Sequence, residues 1–350
     1  MNATQRLPAL GWTEELGEAF TTYGKRGFEP ARVVAEHRGG YYVRGDEGDR
    51  LASVRTRWRD GHELAGEMPA VGDWVAVVDA GPGKAAIEAV LPRRTKVSRK
   101  TPWLKAEEQV LVANVDTIFL VAGLDGDFNV RRLERYLIAA WDSGANPVVV
   151  LTKLDLCADR TPVLEAEAVA MGVPVVAVSS FTGEGVDALE RWLEPAKTIV
   201  LLGSSGVGKS TLINYLAGRE VMDIGRLRND GRGRHTTRHR QLLVLRDGTL
   251  LIDTPGLREF QIWEGDIDAA FTDIAGWAAQ CRFGDCSHTV EPGCAVLANV
   301  APDRLKSYFK LKRELEAVEA RTNVRLHRER KRRWIQRSRE VKRAKRHGTY

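Results

Sequence analysis

Two clusters of residues carry most of the chemistry open to this chain. The first is Gly203-Ser204-Ser205-Gly206-Val207-Gly208-Lys209-Ser210-Thr211, set between the apolar run 198–202 and a helix-like stretch 210–217. Strand, glycine-rich loop and helix in that order make a polyphosphate cradle, because the glycines let successive backbone N–H groups turn inward and the helix N-terminus adds partial positive charge. Lys209 is expected to reach the β- and γ-phosphates, and the Ser210 hydroxyl to ligate Mg²⁺. The second cluster is Cys281-x4-Cys286-x-His288-x5-Cys294, three thiols and an imidazole within 14 positions. That donor set fills a closed tetrahedral zinc site with no position open to water, so one structural zinc per chain is expected. Cys157 lies outside the cluster and reads as a small apolar residue.

Other residues choose the nucleotide. Thr152-Lys153-Leu154-Asp155 follows the apolar run 147–151, where a parallel sheet presents its ligands. A carboxylate at Asp155 accepts from both N1–H and the 2-amino group of guanine, a pair of donors that adenine lacks. Ser179-Ser180 follows the next apolar run, and Asp253-Thr254-Pro255-Gly256 follows 250–252. Asp253 is expected to hold Mg²⁺ through water, and the Gly256 N–H to meet the γ-phosphate. The basic, glycine-rich stretch 224–239 reads as a switch loop in which Thr237, with Thr236 as the alternative, binds Mg²⁺ and senses the third phosphate. In Ras-like proteins a glutamine after D-x-x-G orients the attacking water. Leu257 stands there in this chain and cannot do so, which leaves the imidazole of His235 as the candidate.

The elements that must position these groups follow from pattern. From 32 to about 91, short β-rich runs alternate with turns, which predicts a small OB-type barrel. Tyr41, Tyr42 and Trp74 there are either packing residues or base-stacking platforms. Residues 93–100 read as a basic linker. Beyond it, strand and helix alternate: strands at 117–122, 147–151, 175–178 and 198–202, and helices at 130–141, 163–171 and 186–193. That rhythm predicts a mostly parallel sheet covered on both faces. Residues 303–322 have helical spacing, with Leu305, Phe309, Leu315 and Val318 as the apolar stripe.

Charge divides the chain unevenly. The whole sequence carries +6, yet residues 301–350 hold 18 Lys+Arg against 6 Asp+Glu, so the tail is +12 and the remainder −6. Such an extension reads as a nucleic-acid contact element. Hydrophobic content of 43% and charged content of 29% fit a water-soluble globular chain. The N-terminus has no apolar core of a signal peptide, and Asn114 and Asp116 interrupt the most apolar stretch, so no membrane association is expected. Clustered cysteines fit a reducing cytoplasm and a metal better than disulfides.

The motif set resembles that of translation-factor-like GTPases in an altered order: Thr152–Asp155 and Ser179-Ser180 precede the phosphate loop instead of following it. With a barrel in front and a cysteine cluster behind, the chain resembles the ribosome small subunit-dependent GTPase A family over residues 30–310. That resemblance implies an OB barrel, a circularly permuted α/β P-loop GTPase domain, and a zinc-binding, helical C-terminal region. It also implies late maturation of the small (30S) ribosomal subunit, with rRNA, GTP and GDP as ligands and stimulation by the subunit. The family usually has Asn where this chain has Thr152, which puts nucleotide affinity in question while Asp155 preserves guanine choice. The expected division is 1–27 extension, 28–98 barrel, 99–265 GTPase domain, 266–322 zinc-binding domain and 323–350 basic tail, in a monomer. The competing readings are a P-loop ATPase or kinase, and an RNA-binding scaffold with a vestigial nucleotide site.

Overall fold

The computed structural model describes residues 6–37, 40–54, 68–100, 108–126, 128–170, 172–221, 240–253, 271–284, 286–302, 304–306 and 308–313. The chain forms two compact units, Met1–Ala270 and Phe271–Tyr350. The first opens with α1 (Arg6–Ala9) and α2 (Glu14–Gly24), followed by β1 (Glu29–His37), β2 (Gly40–Gly45), β3 (Gly48–Val54), β4 (Trp74–Asp79) and β5 (Lys84–Val90). Next come β6 (Lys96–Lys100), β7 (Glu108–Ala113), β8 (Thr117–Gly123), α3 (Val130–Asp142), β9 (Asn146–Thr152), α4 (Thr161–Ala170) and β10 (Val175–Ala177). The unit ends with β11 (Thr198–Leu202), α5 (Lys209–Ala217), β12 (Gln241–Val244) and β13 (Leu250–Asp253). In the second unit α6 (Thr272–Ala278) and α7 (Ala295–Asn299) flank the cysteine segment.

β1 to β5 close into a barrel. The hydrogen-bonded order is β1-β2-β3-β5-β4, and β4 returns to β1 through Arg32↔Trp74 and Ala31↔Val75. One pairing in the ring, β3 with β5, is parallel. Alternate residues point inward, so Ala31, Val33, Val43, Val75, Val77 and Ile87 form a dry interior. Trp74 and Tyr41 are buried, which removes both as base platforms: their rings are packing residues. Trp74 meets Trp12 edge-on at 4.8 Å. Tyr42 is exposed.

The α/β half has the order β10-β9-β8-β11-β13-β12, with every pairing parallel except β12 with β13. Its strands are continuous apolar runs because both faces are covered. Ile118, Leu120, Val149, Leu151, Val200 and Leu202 face one core, and Phe119, Val121, Val148, Val150, Ile199 and Leu201 the other. The expected helix over 186–193 is a 3₁₀ helix, Val186–Trp192.

The barrel and this sheet are continuous. Beyond an irregularity between Val33 and Ala35, β1 stays paired with β2 through His37↔Gly40, while its other edge, paired with β4 as far as Arg32, takes β12 at Ala35↔Gln241. Arg32, fully buried at this junction, donates to the carbonyls of Gly72 (3.2 Å), Leu10 (2.5 Å) and Asn114 (3.1 Å) and to the Thr198 hydroxyl (2.9 Å). Burial lowers its pKa to about 10, with Asp116 opposing. Four elements from distant parts of the sequence therefore meet on one guanidinium.

Residues 93–100 are not a linker. Arg93 donates to both carboxylate oxygens of the buried Asp73, at 2.8 and 2.7 Å. Lys96–Lys100 pairs antiparallel with β7. Alternation explains it: Val97 is buried between Lys96, which is exposed and pairs with Glu108, and Ser98, so a basic run can still be a strand. In the second unit, Phe271, Ile274, Val296, Leu305 and Leu311 are buried. Arg304 clamps Asp273 at 2.5 and 2.8 Å. Among the described residues, no helix is long and apolar enough to cross a membrane.

Candidate nucleotide site and metal centre

The phosphate loop leaves the C-terminal end of β11 and enters α5. Gly203 lies so close to β8 that a Cβ on it would sit 2.3 Å from the Val121 carbonyl oxygen. Gly208 has φ +90° and caps α5, a conformation that favours glycine. Lys209 folds back across the loop and donates to the carbonyls of Gly203 (2.8 Å) and Ser204 (2.5 Å). Its ammonium is thereby held over the mouth of the loop. Ser210 stands in the first turn of α5, and Asp253 ends β13, which runs parallel to and beside β11. Both strand ends open on the same edge of the sheet.

The base-reading end is assembled from the next strands along. Lys153 adopts the left-handed conformation, φ +62°, which is uncommon for a side-chain-bearing residue and marks a constrained turn. Its Nζ pairs with Asp125 in the loop after β8. Leu154 and Asp155 follow in a single 3₁₀ turn. The Ser179 hydroxyl donates to Asp155 Oδ1 at 2.5 Å, which fixes the rotamer of the carboxylate and leaves its second oxygen to accept elsewhere. Ser179 is fully buried, and the Leu154 N–H donates to the Val178 carbonyl at 3.1 Å. The turns after β9 and β10 thus form one piece. Thr152 is buried; its hydroxyl lies 2.5 Å from the Val207 carbonyl and 3.2 Å from that of Ala122. With one proton to give, it donates to the nearer, tying the base-reading strand to the phosphate loop.

The cysteine cluster occupies the second unit. Cys281, Cys286, His288 and Cys294 present ligand atoms within 4.8 Å of one another. Cys281 Sγ is 3.8 Å from Cys294 Sγ, and His288 Nδ1 is 3.6 and 3.5 Å from those two sulfurs. A tetrahedral zinc with Zn–S of about 2.3 Å and Zn–N of about 2.0 Å has edges of about 3.8 Å between sulfurs and about 3.5 Å from sulfur to nitrogen. The residues therefore fit such an ion. His288 takes φ +58° and Gly293 φ +79° where the segment turns back on itself. Burial raises the Cys281 thiol, yet backbone N–H groups of Val296 and Ala295 outweigh it and bring the thiol below its ordinary value. The Leu297 N–H donates to Cys294 Sγ at 3.4 Å, so the first turn of α7 is aimed at the sulfurs. Glu291 accepts from the Ser287 hydroxyl and from the N–H groups of Ser287, Thr289 and Val290, which holds its pKa down at about 2.

With this geometry in view, comparison with known proteins is decisive. The model of the RsgA GTPase family matches residues 90–263. A small ribosomal subunit biogenesis GTPase RsgA of Opitutus terrae is 45% identical over 347 residues, 94% of this chain and 95% of that protein. The chain belongs to the RsgA GTPase family. RsgA 2 of Lactiplantibacillus plantarum is 46% identical over 291 residues, 81% of this chain and 82% of its own length. YjeQ of Thermotoga maritima has 28% identity and a TM-score of 0.60 over 82% of this chain and 98% of its own. YloQ, described as a circularly permuted GTPase, has 22% identity and a TM-score of 0.55 over 83% and 96%. The expected fold class is thus observed: a permuted P-loop GTPase domain, a closed five-stranded barrel in front and a Cys₃His cluster behind. Like other members of a GTPase family, the chain is a hydrolase.

Of the sequence-predicted site residues, Thr152, Lys153, Leu154, Asp155, Ser179, Ser180 and Gly203 through Thr211 lie at the ends of β9, β10 and β11, and Asp253 ends β13. His235, Thr236, Thr237, Gly256 and Leu257 lie outside the described residues, as do 314–350. Three participants escaped the sequence reading. Asp125 holds Lys153; Arg132 and Tyr136 of α3 reach the Ser204 hydroxyl at 2.9 and 3.3 Å. The signal for the pair was their i, i+4 spacing on a helix just after β8.

Proposed function

We propose that this chain hydrolyses GTP to GDP and phosphate in the late maturation of the small ribosomal subunit, and that the subunit stimulates the turnover. The observation that carries the reading is Asp155 held by Ser179 at 2.5 Å beside a phosphate loop to which Thr152 is hydrogen-bonded. A carboxylate so placed reads the N1–H and 2-amino edge of guanine, which argues against an ATPase or kinase. Gly203 through Thr211 wrap the phosphates, and Lys209 moves its ammonium from loop carbonyls toward the β- and γ-phosphates. Ser210, Thr237 and, through water, Asp253 hold Mg²⁺, while the Gly256 N–H senses the γ-phosphate. His235 orients the attacking water, the task that Leu257 cannot perform.

Cys281, Cys286, His288 and Cys294 hold one structural zinc. The barrel and the basic tail contact rRNA, and the chain acts as a cytoplasmic monomer divided at the limits given above. The names of its relatives, small ribosomal subunit biogenesis GTPases, support the partner. The test compares GTP with ATP hydrolysis, with and without purified small subunits. GTP-selective turnover that rises with subunits supports the reading. GTP hydrolysis indifferent to subunits removes the ribosomal part, and equal ATP turnover removes the guanine part.

A further inference from the structure

Phe181 is the most exposed large apolar side chain among the described residues, with 89% of its surface open to solvent. Its backbone is far from loose. Phe181 and Thr182 donate their N–H groups to Ser179 Oγ at 3.3 and 3.2 Å, Gly183 donates to the Ser179 carbonyl at 2.8 Å, and Ser179 donates its own N–H to Glu184 at 2.9 Å. The same Ser179 oxygen donates its proton to Asp155. One hydroxyl therefore sets both the carboxylate that reads a base edge and the turn that holds a phenyl ring out in water two residues later. Keeping a ring in solvent on so ordered a turn runs against the hydrophobic effect, unless a flat, weakly solvated partner arrives to cover it.

We propose that Phe181 is the stacking platform for the guanine base, lying against a face of the purine whose edge Asp155 reads. The proposal rests on the guanine-nucleotide reading above. Purine faces stack on aromatic rings without regard to the edge substituents. Phe181 therefore contributes affinity, and Asp155 contributes choice. This division suits a chain whose residue 152 is a threonine with its hydroxyl committed to Val207. The methylene stem of Lys153, its ammonium held by Asp125, belongs to the same base-reading turn as Asp155.

The test uses the full chain and three probes: GDP, IDP and pyrophosphate, each with Mg²⁺. Phe181→Ala is expected to raise the Kd of GDP and IDP by the same factor, about 5- to 150-fold, as removal of one base-stacking ring does. It should leave pyrophosphate, which has no base, within two-fold of the wild type, and Phe181→Tyr should stay within two-fold for all three. A GDP affinity unchanged in Phe181→Ala overturns the proposal. So does a parallel loss for pyrophosphate, which would mark a distorted loop. A wild-type chain that binds pyrophosphate but neither GDP nor IDP would overturn the guanine reading itself, a different failure from a wild type that binds GDP and does not need Phe181.

Discussion

The residues around Thr152 and those around Cys281 gather ligand atoms by different means. At the first site, side chains from β9, β10, α3 and the turn into α5 are brought to one sheet edge. Hydrogen bonds that need no ligand already fix them: Thr152 to Val207, Ser179 to Asp155, Arg132 to Ser204. At the second, all four donors come from one 14-residue segment flanked by helices of 7 and 5 residues. Helices that short do not hold themselves together in water. The sheet builds the first site, whereas an ion would have to build the second. The first is therefore expected to survive loss of its ligand, and the second is not.

Metal removal tests that contrast with the largest effect. Structural zinc in small domains is worth about 10–16 kcal/mol of apparent binding free energy, all of it coupled to folding. Stripping the ion with a strong chelator, or Cys294→Ser, should abolish hydrogen-exchange protection across 272–300 while GDP affinity stays within about two-fold. Retained protection after verified metal loss would mean that the peptide alone builds the second site. A smaller effect is expected at the barrel junction. Arg32→Met keeps the length and apolar stem but leaves the carbonyls of Leu10, Gly72 and Asn114 without their donor. Loss of hydrogen bonds from a buried, charged donor to neutral carbonyls costs about 1.5–3 kcal/mol. Denaturant midpoints should fall together for barrel and GTPase probes, because one sheet runs through both. A barrel that melts separately in Arg32→Met while the GTPase half keeps its wild-type midpoint would refute that continuity.

Much of the architecture was legible in order and spacing. Apolar runs before Gly203, Thr152 and Asp253 announced parallel strands buried on both faces, and the cysteine spacing announced its own cluster because all four donors are local. What escaped was long-range. Nothing near Arg32 in sequence points to Leu10, Asn114 or Thr198, and only the junction of the barrel with the α/β sheet brings them to one guanidinium. In residues 93–100 the density of basic side chains reads as a linker, while the buried Val97 in alternation makes Lys96–Lys100 a strand. Asp125 and Arg132 went unseen for a similar reason: their partners, Lys153 and Ser204, lie beyond the next strand or further, and a single charge carries no mark of its partner.

The smallest predicted effect probes how far the first site is preformed. Thr152→Val has nearly the same shape and removes one hydroxyl, hence one donor to the Val207 carbonyl. A net loss of about 1 kcal/mol for a neutral hydrogen bond corresponds to about a five-fold weaker GDP complex. The loss falls on the phosphate end, so pyrophosphate should weaken by the same factor and the preference for GDP over ADP should not change. Thr152→Asn carries one carboxamide whose NH2 has two protons, one to donate to Val207 and one to meet the base, so it should bind GDP more tightly than the parent chain. Equal affinities for GDP in the parent and Thr152→Val would show that β9 does not tension the phosphate loop. A loss confined to GDP, with pyrophosphate untouched, would move the work of Thr152 from the loop to the base.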